Sequence, residues 1–192
     1  MQRPQRISVV GNSGSGKSTA AARVASRLGI ERLELDSVRH QPNWRELPDD
    51  EFRRRVVAFM ADHGAWIIDG NYSVVRPEVW ARADTVLWLD PPFAENMCNI
   101  IGRTLRRVVT RQVLWNGNRE RWTNLLSLDP YRSVIAWAWM RHGLVRRRYE
   151  AAARDPEWWH LRFVRIRSRS ELDEWLARQG GVRGQSIFRN AE

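Results

Sequence analysis

The chain has 192 residues, of which 43% are hydrophobic and 28% charged, and carries a formal net charge of +10. That length fits one compact domain by the rough prior of 100–200 residues per domain, and the composition excludes global disorder. No apolar run approaches the roughly 18 residues of a membrane span; the longest lies near Val134 to Met140.

In chain order, Ile7–Val10 is a short apolar run ending at Gly11 and reads as a buried strand. Lys17–Leu28 reads as a helix, with Ala20, Ala21, Val24 and Leu28 on one face and Gly29 as its stop. Leu33–Leu35 alternates and reads as a second strand ending at Asp36. Asp49 is the expected N-cap of a helix reaching about His63. Trp66–Ile68 is a third strand running into Asp69, and a helix or loop covers roughly 77–83. Thr85–Leu89 is a fourth strand, stopped by Asp90, Pro91 and Pro92. A long helix follows over about 94–110, then the turn signal Asn116-Gly117-Asn118, then a second long helix over about 130–153. Phe163–Ile166 is a fifth strand and Glu171–Gln179 a last helix. Strands alternating with helices predict an α/β fold: one parallel sheet with helices on both faces. One domain over 1–179 is expected, with an arginine-rich lid at about 103–132 and a disordered tail over 180–192. The single cysteine, Cys98, excludes an intramolecular disulfide and reads as a small buried hydrophobe. With so short an apolar run at its start, the chain reads as cytoplasmic.

Gly11-Asn12-Ser13-Gly14-Ser15-Gly16-Lys17-Ser18 follows a strand and opens a helix. That context makes it a P-loop for a nucleoside triphosphate, here ATP. Its glycines let backbone N–H groups of Gly11, Ser13, Gly14, Ser15, Gly16 and Thr19 turn toward phosphate oxygens. Lys17 reaches the β- and γ-phosphates, and Ser18 offers its hydroxyl to Mg²⁺. Lys17 is the only lysine among 32 basic residues. In a chain that uses arginine everywhere else, that position demands a compact ammonium rather than a planar fork.

Two strands end in aspartate, Asp69 and Asp90, and either carboxylate suits the magnesium shell by pattern alone. Asp36 closes the second strand and should lie at the same sheet edge, where it accepts a proton from a hydroxyl acceptor or hydrogen-bonds a sugar. Gly70, Asn71 and Tyr72 continue from Asp69 and, with Asp36 and Trp44, enclose the expected acceptor pocket. Arg103, Arg107 and Arg111 recur at helical spacing, and Arg119 and Arg121 follow the turn. Such a cluster suits the charge of a transferring phosphoryl group. The four histidines have no metal-ligand spacing.

These residues resemble the adenylate-kinase-like P-loop kinases, and within them the bacterial topology modulation proteins. The resemblance rests on residues 11–19, Leu-Glu-Leu-Asp (33–36), Trp-Ile-Ile-Asp-Gly-Asn-Tyr (66–72), the segment 83–92, Ile-Ile-Gly-Arg (100–103) and Leu-Trp-Asn-Gly-Asn-Arg-Glu (114–120). It implies a P-loop NTPase three-layer sandwich with strand order 2-3-1-4-5, which favours Asp69 over Asp90 for magnesium. It also implies that Arg103 stacks on adenine and that Arg39 contacts an acceptor phosphate. The sequence departs from that family at Glu34-Leu35, where a Thr-Gly pair is usual, and at Asn71-Tyr72, where Phe-Pro-Arg is usual. The resulting expectation is an ATP- and Mg²⁺-dependent kinase for a nucleotide or other small molecule. A nucleotide-gated nucleic-acid-binding NTPase is the less favoured alternative, because no helix-turn-helix or RNA-binding signature accompanies the positive charge.

Overall fold

The computed structural model describes residues 3–119 and 134–179, with the backbone alone for 134–138. Five strands, β1 (Arg6–Gly11), β2 (Glu31–Glu34), β3 (Trp66–Asp69), β4 (Thr85–Leu89) and β5 (Arg162–Ile166), pair in parallel in the order β2-β3-β1-β4-β5. The helices are α1 (Lys17–Leu28), α2 (Leu35–Arg39), α3 (Asp49–Asp62), α4 (Arg76–Arg82), α5 (Phe93–Val109), α6 (Val134–Ala152) and α7 (Arg169–Gln179). This is the three-layer P-loop sandwich expected from the sequence.

The alternation along β1 explains the two cores. Ile7 and Val9 face a core with Ala21 and Val24 of α1 and Trp175 of α7. Val10 faces the other core, with Phe52 and Val56 of α3, Trp80 of α4 and Tyr149 of α6. A central parallel strand buried on both faces must be apolar throughout. The exception, Ser8, accepts a hydrogen bond from the Trp80 indole at 3.2 Å.

Several boundaries differ from the sequence reading. The second strand ends earlier, at Glu34, because the buried Leu35 turns the chain into α2. The Ser37 hydroxyl donates to the Glu34 carbonyl at 2.7 Å and fixes that turn. Asp36 therefore stands in the first turn of a helix instead of at a strand end. Pro48, not Asp49, caps α3, and Asp49 pairs with Arg39 instead. Cys98 is exposed: the buried stripe of α5 runs through Asn96, Met97, Ile100 and Thr104, and Cys98 lies off it. Arg111 leaves the predicted basic face, since α5 ends at Val109 and Arg111 takes a left-handed φ of 48°. The tail 180–192 and the lid beyond residue 119 lie outside the described residues. No described helix is long and apolar enough to cross a membrane.

Candidate active site

The carboxyl ends of the strands gather at one edge of the sheet. There Glu34 of β2 is in register with Asp69 of β3, and Asp69 with Val9 of β1. A cleft of about 1590 Å³ runs along this edge, lined by the loop 12–19, Asp36, Trp44, residues 69–72, Arg103 and Arg107. The topology thus unites most of the residues singled out from the sequence.

The phosphate loop leaves β1 at Gly11 and enters α1 at Lys17. Gly14 has φ 81°, and a Cβ there would stand 2.8 Å from the Asn96 carbonyl and 2.9 Å from Ile100 Cβ. Only glycine allows α5 to pack directly against the loop. The Lys17 ammonium donates to the Asn12 carbonyl at 2.8 Å, which folds the side chain back over the loop. Burial pushes its pKa down to about 8; Asp36 opposes that shift, Arg103 adds to it, and Asp69 also opposes it. Anionic phosphate oxygens would stabilise the charged form.

Beside the loop, the Ser18 hydroxyl donates to Glu34 Oε1 at 3.1 Å. Asp69 is buried, and one of its oxygens accepts from Arg32 Nη2 at 2.7 Å and Nε at 3.1 Å. Burial lifts the Asp69 pKa to about 6 against the pull of Arg32. Ser18, Glu34 and Asp69 are hard oxygen donors, the set that suits Mg²⁺ held through one or two carboxylates and substrate phosphates. The competing carboxylate, Asp90, is not among the cleft-lining residues, and both its oxygens are taken, whereas Asp69 keeps one oxygen clear of Arg32: Arg146 Nε reaches Asp90 Oδ1 at 3.1 Å and Arg165 Nε reaches Oδ2 at 2.8 Å.

On the other side of the cleft, the Tyr72 hydroxyl donates to Asp36 Oδ1 at 2.8 Å and lies 3.3 Å from His40 Nε2. Burial raises the Tyr72 pKa, and the Asp36 charge raises it further, so the phenol stays a donor. Gly70 has φ 143°, and a Cβ there would lie 2.8 Å from Leu35 Cβ, so this glycine lets the 69–72 loop press against α2. Trp44 also lines the cleft.

Two predicted contacts are engaged differently. Arg39 lines the cleft, but its guanidinium donates to Glu46 at 2.6 Å, Asp49 at 2.6 Å and the Leu47 carbonyl at 2.7 Å. It also sits over the Phe52 ring. It staples α2 to α3, which leaves little of it for a phosphate. The Asn71 amide binds both Gly11 backbone groups, and its Oδ1 accepts from the Tyr149 hydroxyl at 3.0 Å. It positions the phosphate loop.

Of the arginines expected to form a lid, Arg103 reaches Ser13 Oγ at 3.5 Å and Arg107 lies over the Trp115 ring. Arg119 is exposed and is not among the cleft-lining residues, whereas Arg106 is. Arg121 lies outside the described residues. Glu34, His40, and Arg141 and Arg148 of α6 also line the cleft, and no sequence motif marks them as site residues. Glu34 was legible as the end of a strand adjacent to β3. The arginines of α6 were not, because their approach depends on how that helix packs.

The model of the AAA domain family AAA_33 matches residues 7–157, which takes in the phosphate loop, both acidic strand ends and α6. The chain belongs to this AAA domain family. The chain is similar to the shikimate kinase of Synechococcus elongatus, 27% identical over an alignment of 134 residues that covers 59% of this chain and 70% of that protein. It is also similar to the shikimate kinase of Mycobacterium tuberculosis, 35% identical over an alignment of 111 residues that covers 51% of this chain and 63% of that one. Among solved structures, a gluconokinase from Sinorhizobium meliloti 1021 aligns over 94% of this chain and 95% of its own, with 17% identity and a TM-score of 0.48.

Proposed function

We propose that the cleft transfers the γ-phosphoryl group of ATP to a hydroxyl of a small-molecule acceptor. The observation that carries this reading is the contrast between Asp36 and Arg39. The arginine expected to bind an acceptor phosphate is tied to Glu46 and Asp49, while the Asp36 carboxylate lines the cleft with Tyr72 donating to it. A nucleoside monophosphate would lose its phosphate clamp in such a pocket. A hydroxyl would find a carboxylate to receive its proton. The similarity to shikimate kinases supports small-molecule phosphotransfer without carrying over their substrate. The narrower likeness to topology modulation proteins remains part of this proposal.

In the proposed reaction the acceptor oxygen attacks the γ-phosphorus as its proton passes to Asp36. The bond to the β–γ bridging oxygen breaks and ADP leaves with that electron pair. Lys17 and the loop N–H groups hold the β- and γ-oxygens. Ser18, Glu34 and Asp69 would hold Mg²⁺, which neutralises charge on the bridging and terminal oxygens when bound. Arg103 and Arg107 approach from α5 and add positive charge where the transition state spreads negative charge.

An ADP-release screen tests this, with nucleoside monophosphates in one arm and polyhydroxy compounds in the other, on wild type and Asp36→Asn. Stimulation by a hydroxyl compound that falls about 100-fold or more in Asp36→Asn, in line with general-base catalysis, is the expected result. Stimulation confined to nucleoside monophosphates would refute it. The net charge of +10 supports one other reading, nucleic-acid binding; ATP-dependent retention on DNA that weakens steeply with salt would favour it.

A further inference from the structure

Two small hairpins meet beside the cleft, which His40, Trp44 and Glu46 of one and Trp115 of the other line. One follows α2 and is closed by pairing of His40 with Glu46; the other follows α5 and is closed by pairing of Val113 with Arg119. Each turns through left-handed residues: Asn43 and Trp44 at φ 61° and 58° in the first, Asn116 at φ 55° in the second. For a tryptophan that backbone conformation is strained and persists only where its surroundings hold it.

What holds it is the opposite hairpin. The Trp44 N–H donates to Asn118 Oδ1 at 2.9 Å, and Asn118 Nδ2 donates to the Gln41 carbonyl at 2.9 Å. The Trp44 indole donates to the Arg119 carbonyl at 3.1 Å, and Asn116 Nδ2 to the Ser37 carbonyl at 3.1 Å. Asn118 is 4% exposed, so its amide has little water to exchange these bonds for. The His40 ring stacks on Trp115 with centroids 6.0 Å apart.

Each hairpin also reaches one half of the cleft. Trp115 carries Arg107 over its ring at 5.9 Å, on the helix whose Arg103 touches the phosphate loop. His40 touches Tyr72, which donates to Asp36. Nucleotide-side arginines and the acceptor-side carboxylate are thus joined through packed rings and side-chain amides.

We propose that the two hairpins move as one clasped unit, with Asn118 and Trp44 as positioning residues through which a bound nucleotide sets the acceptor wall. A nucleotide that draws Arg103 and Arg107 inward then carries the loop 40–46 with them, and shifts the population toward an ordered acceptor pocket before any acceptor arrives. The idea uses the division of the cleft into nucleotide and acceptor sides proposed above, but its test needs no acceptor and no turnover.

Hydrogen exchange followed by mass spectrometry supplies that test, on wild type, Asn118→Ala and the milder Trp44→Phe, with and without Mg²⁺ and a non-hydrolysable ATP analogue. In wild type the analogue slows exchange in residues 37–46 as well as in 103–119. In Asn118→Ala, without nucleotide, the segment 40–46 exchanges about 30-fold faster, the effect of two net hydrogen bonds. The analogue then protects 103–119 but no longer 37–46. Trp44→Phe, which loses only the indole donor, falls between the two. Equal protection of 37–46 in wild type and both variants, or protection of 103–119 alone in wild type, overturns the proposal. A failed acceptor screen leaves this result unchanged.

Discussion

Truncating Asn71 to alanine isolates the side chain that ties the phosphate loop to the rest of the fold. Its amide meets the Gly11 N–H at 3.2 Å, receives the Tyr149 hydroxyl at 3.0 Å and donates to the Gly11 carbonyl. Asn71→Ala leaves those three groups without that partner. Tyr149 is 1% exposed and Gly11 is buried, so none of the three groups has ready access to water. With about 1 kcal/mol for each lost bond, the expected loss is about 3 kcal/mol. For a domain of this size that lowers Tm by about 6–12 °C. Asn71→Asp keeps both acceptor functions but sets a carboxylate oxygen against the Gly11 carbonyl, so it should also destabilise the fold. Calorimetry gives the stability and titration with ATP the affinity, which should weaken in both variants because the loop is no longer held. A Tm change below about 1 °C with unchanged affinity would refute the assignment of Asn71 to the loop.

Three further outcomes follow from the same geometry. Because burial lowers the Lys17 pKa to about 8 and only the charged form pairs with phosphate, Mg²⁺-free ATP binding should be strongest below about pH 8. Above it, binding should weaken about tenfold per pH unit and take up a proton; calorimetric titration in buffers of different ionisation enthalpy checks this, and a flat profile from pH 7 to 10 contradicts it. Gly70→Ala would place a Cβ 2.8 Å from Leu35 at φ 143°, so it should destabilise by about 1–3 kcal/mol, read by urea denaturation. Asp90→Asn should leave magnesium dependence intact, since Asp90 is not among the cleft-lining residues and both its oxygens are held by Arg146 and Arg165; a raised magnesium requirement measured by ADP release would return Asp90 to the metal shell.

Much of the fold was legible because periodicity and punctuation agree. Ile7–Val10 and Thr85–Leu89 are apolar runs bounded by Gly11 and by Asp90-Pro91-Pro92, and both are strands with nearly those limits. The phosphate loop was legible because its spacing is dictated by backbone geometry around phosphate. The acceptor side was less so. Arg39 reads as a phosphate contact in sequence, yet Glu46 and Asp49, 7 and 10 residues away, capture it once α2 and α3 pack together. Asn71 reads as a pocket residue, but its neighbours Gly11 and Tyr149 are 60 and 78 residues distant. Such pairings depend on tertiary approach that no local pattern carries.

The central claim, phosphoryl transfer from ATP in this cleft to a small-molecule hydroxyl, is tested most directly by following the γ-phosphoryl group itself. The wild-type protein and Lys17→Ala are each incubated with Mg²⁺, γ-labelled ATP and a mixture of polyhydroxy compounds, and the products are separated. Label should move into a phosphomonoester with wild type and stay in ATP with Lys17→Ala, whose circular dichroism should match wild type. Label released by wild type only as inorganic phosphate, or transferred equally well by Lys17→Ala, would contradict the claim.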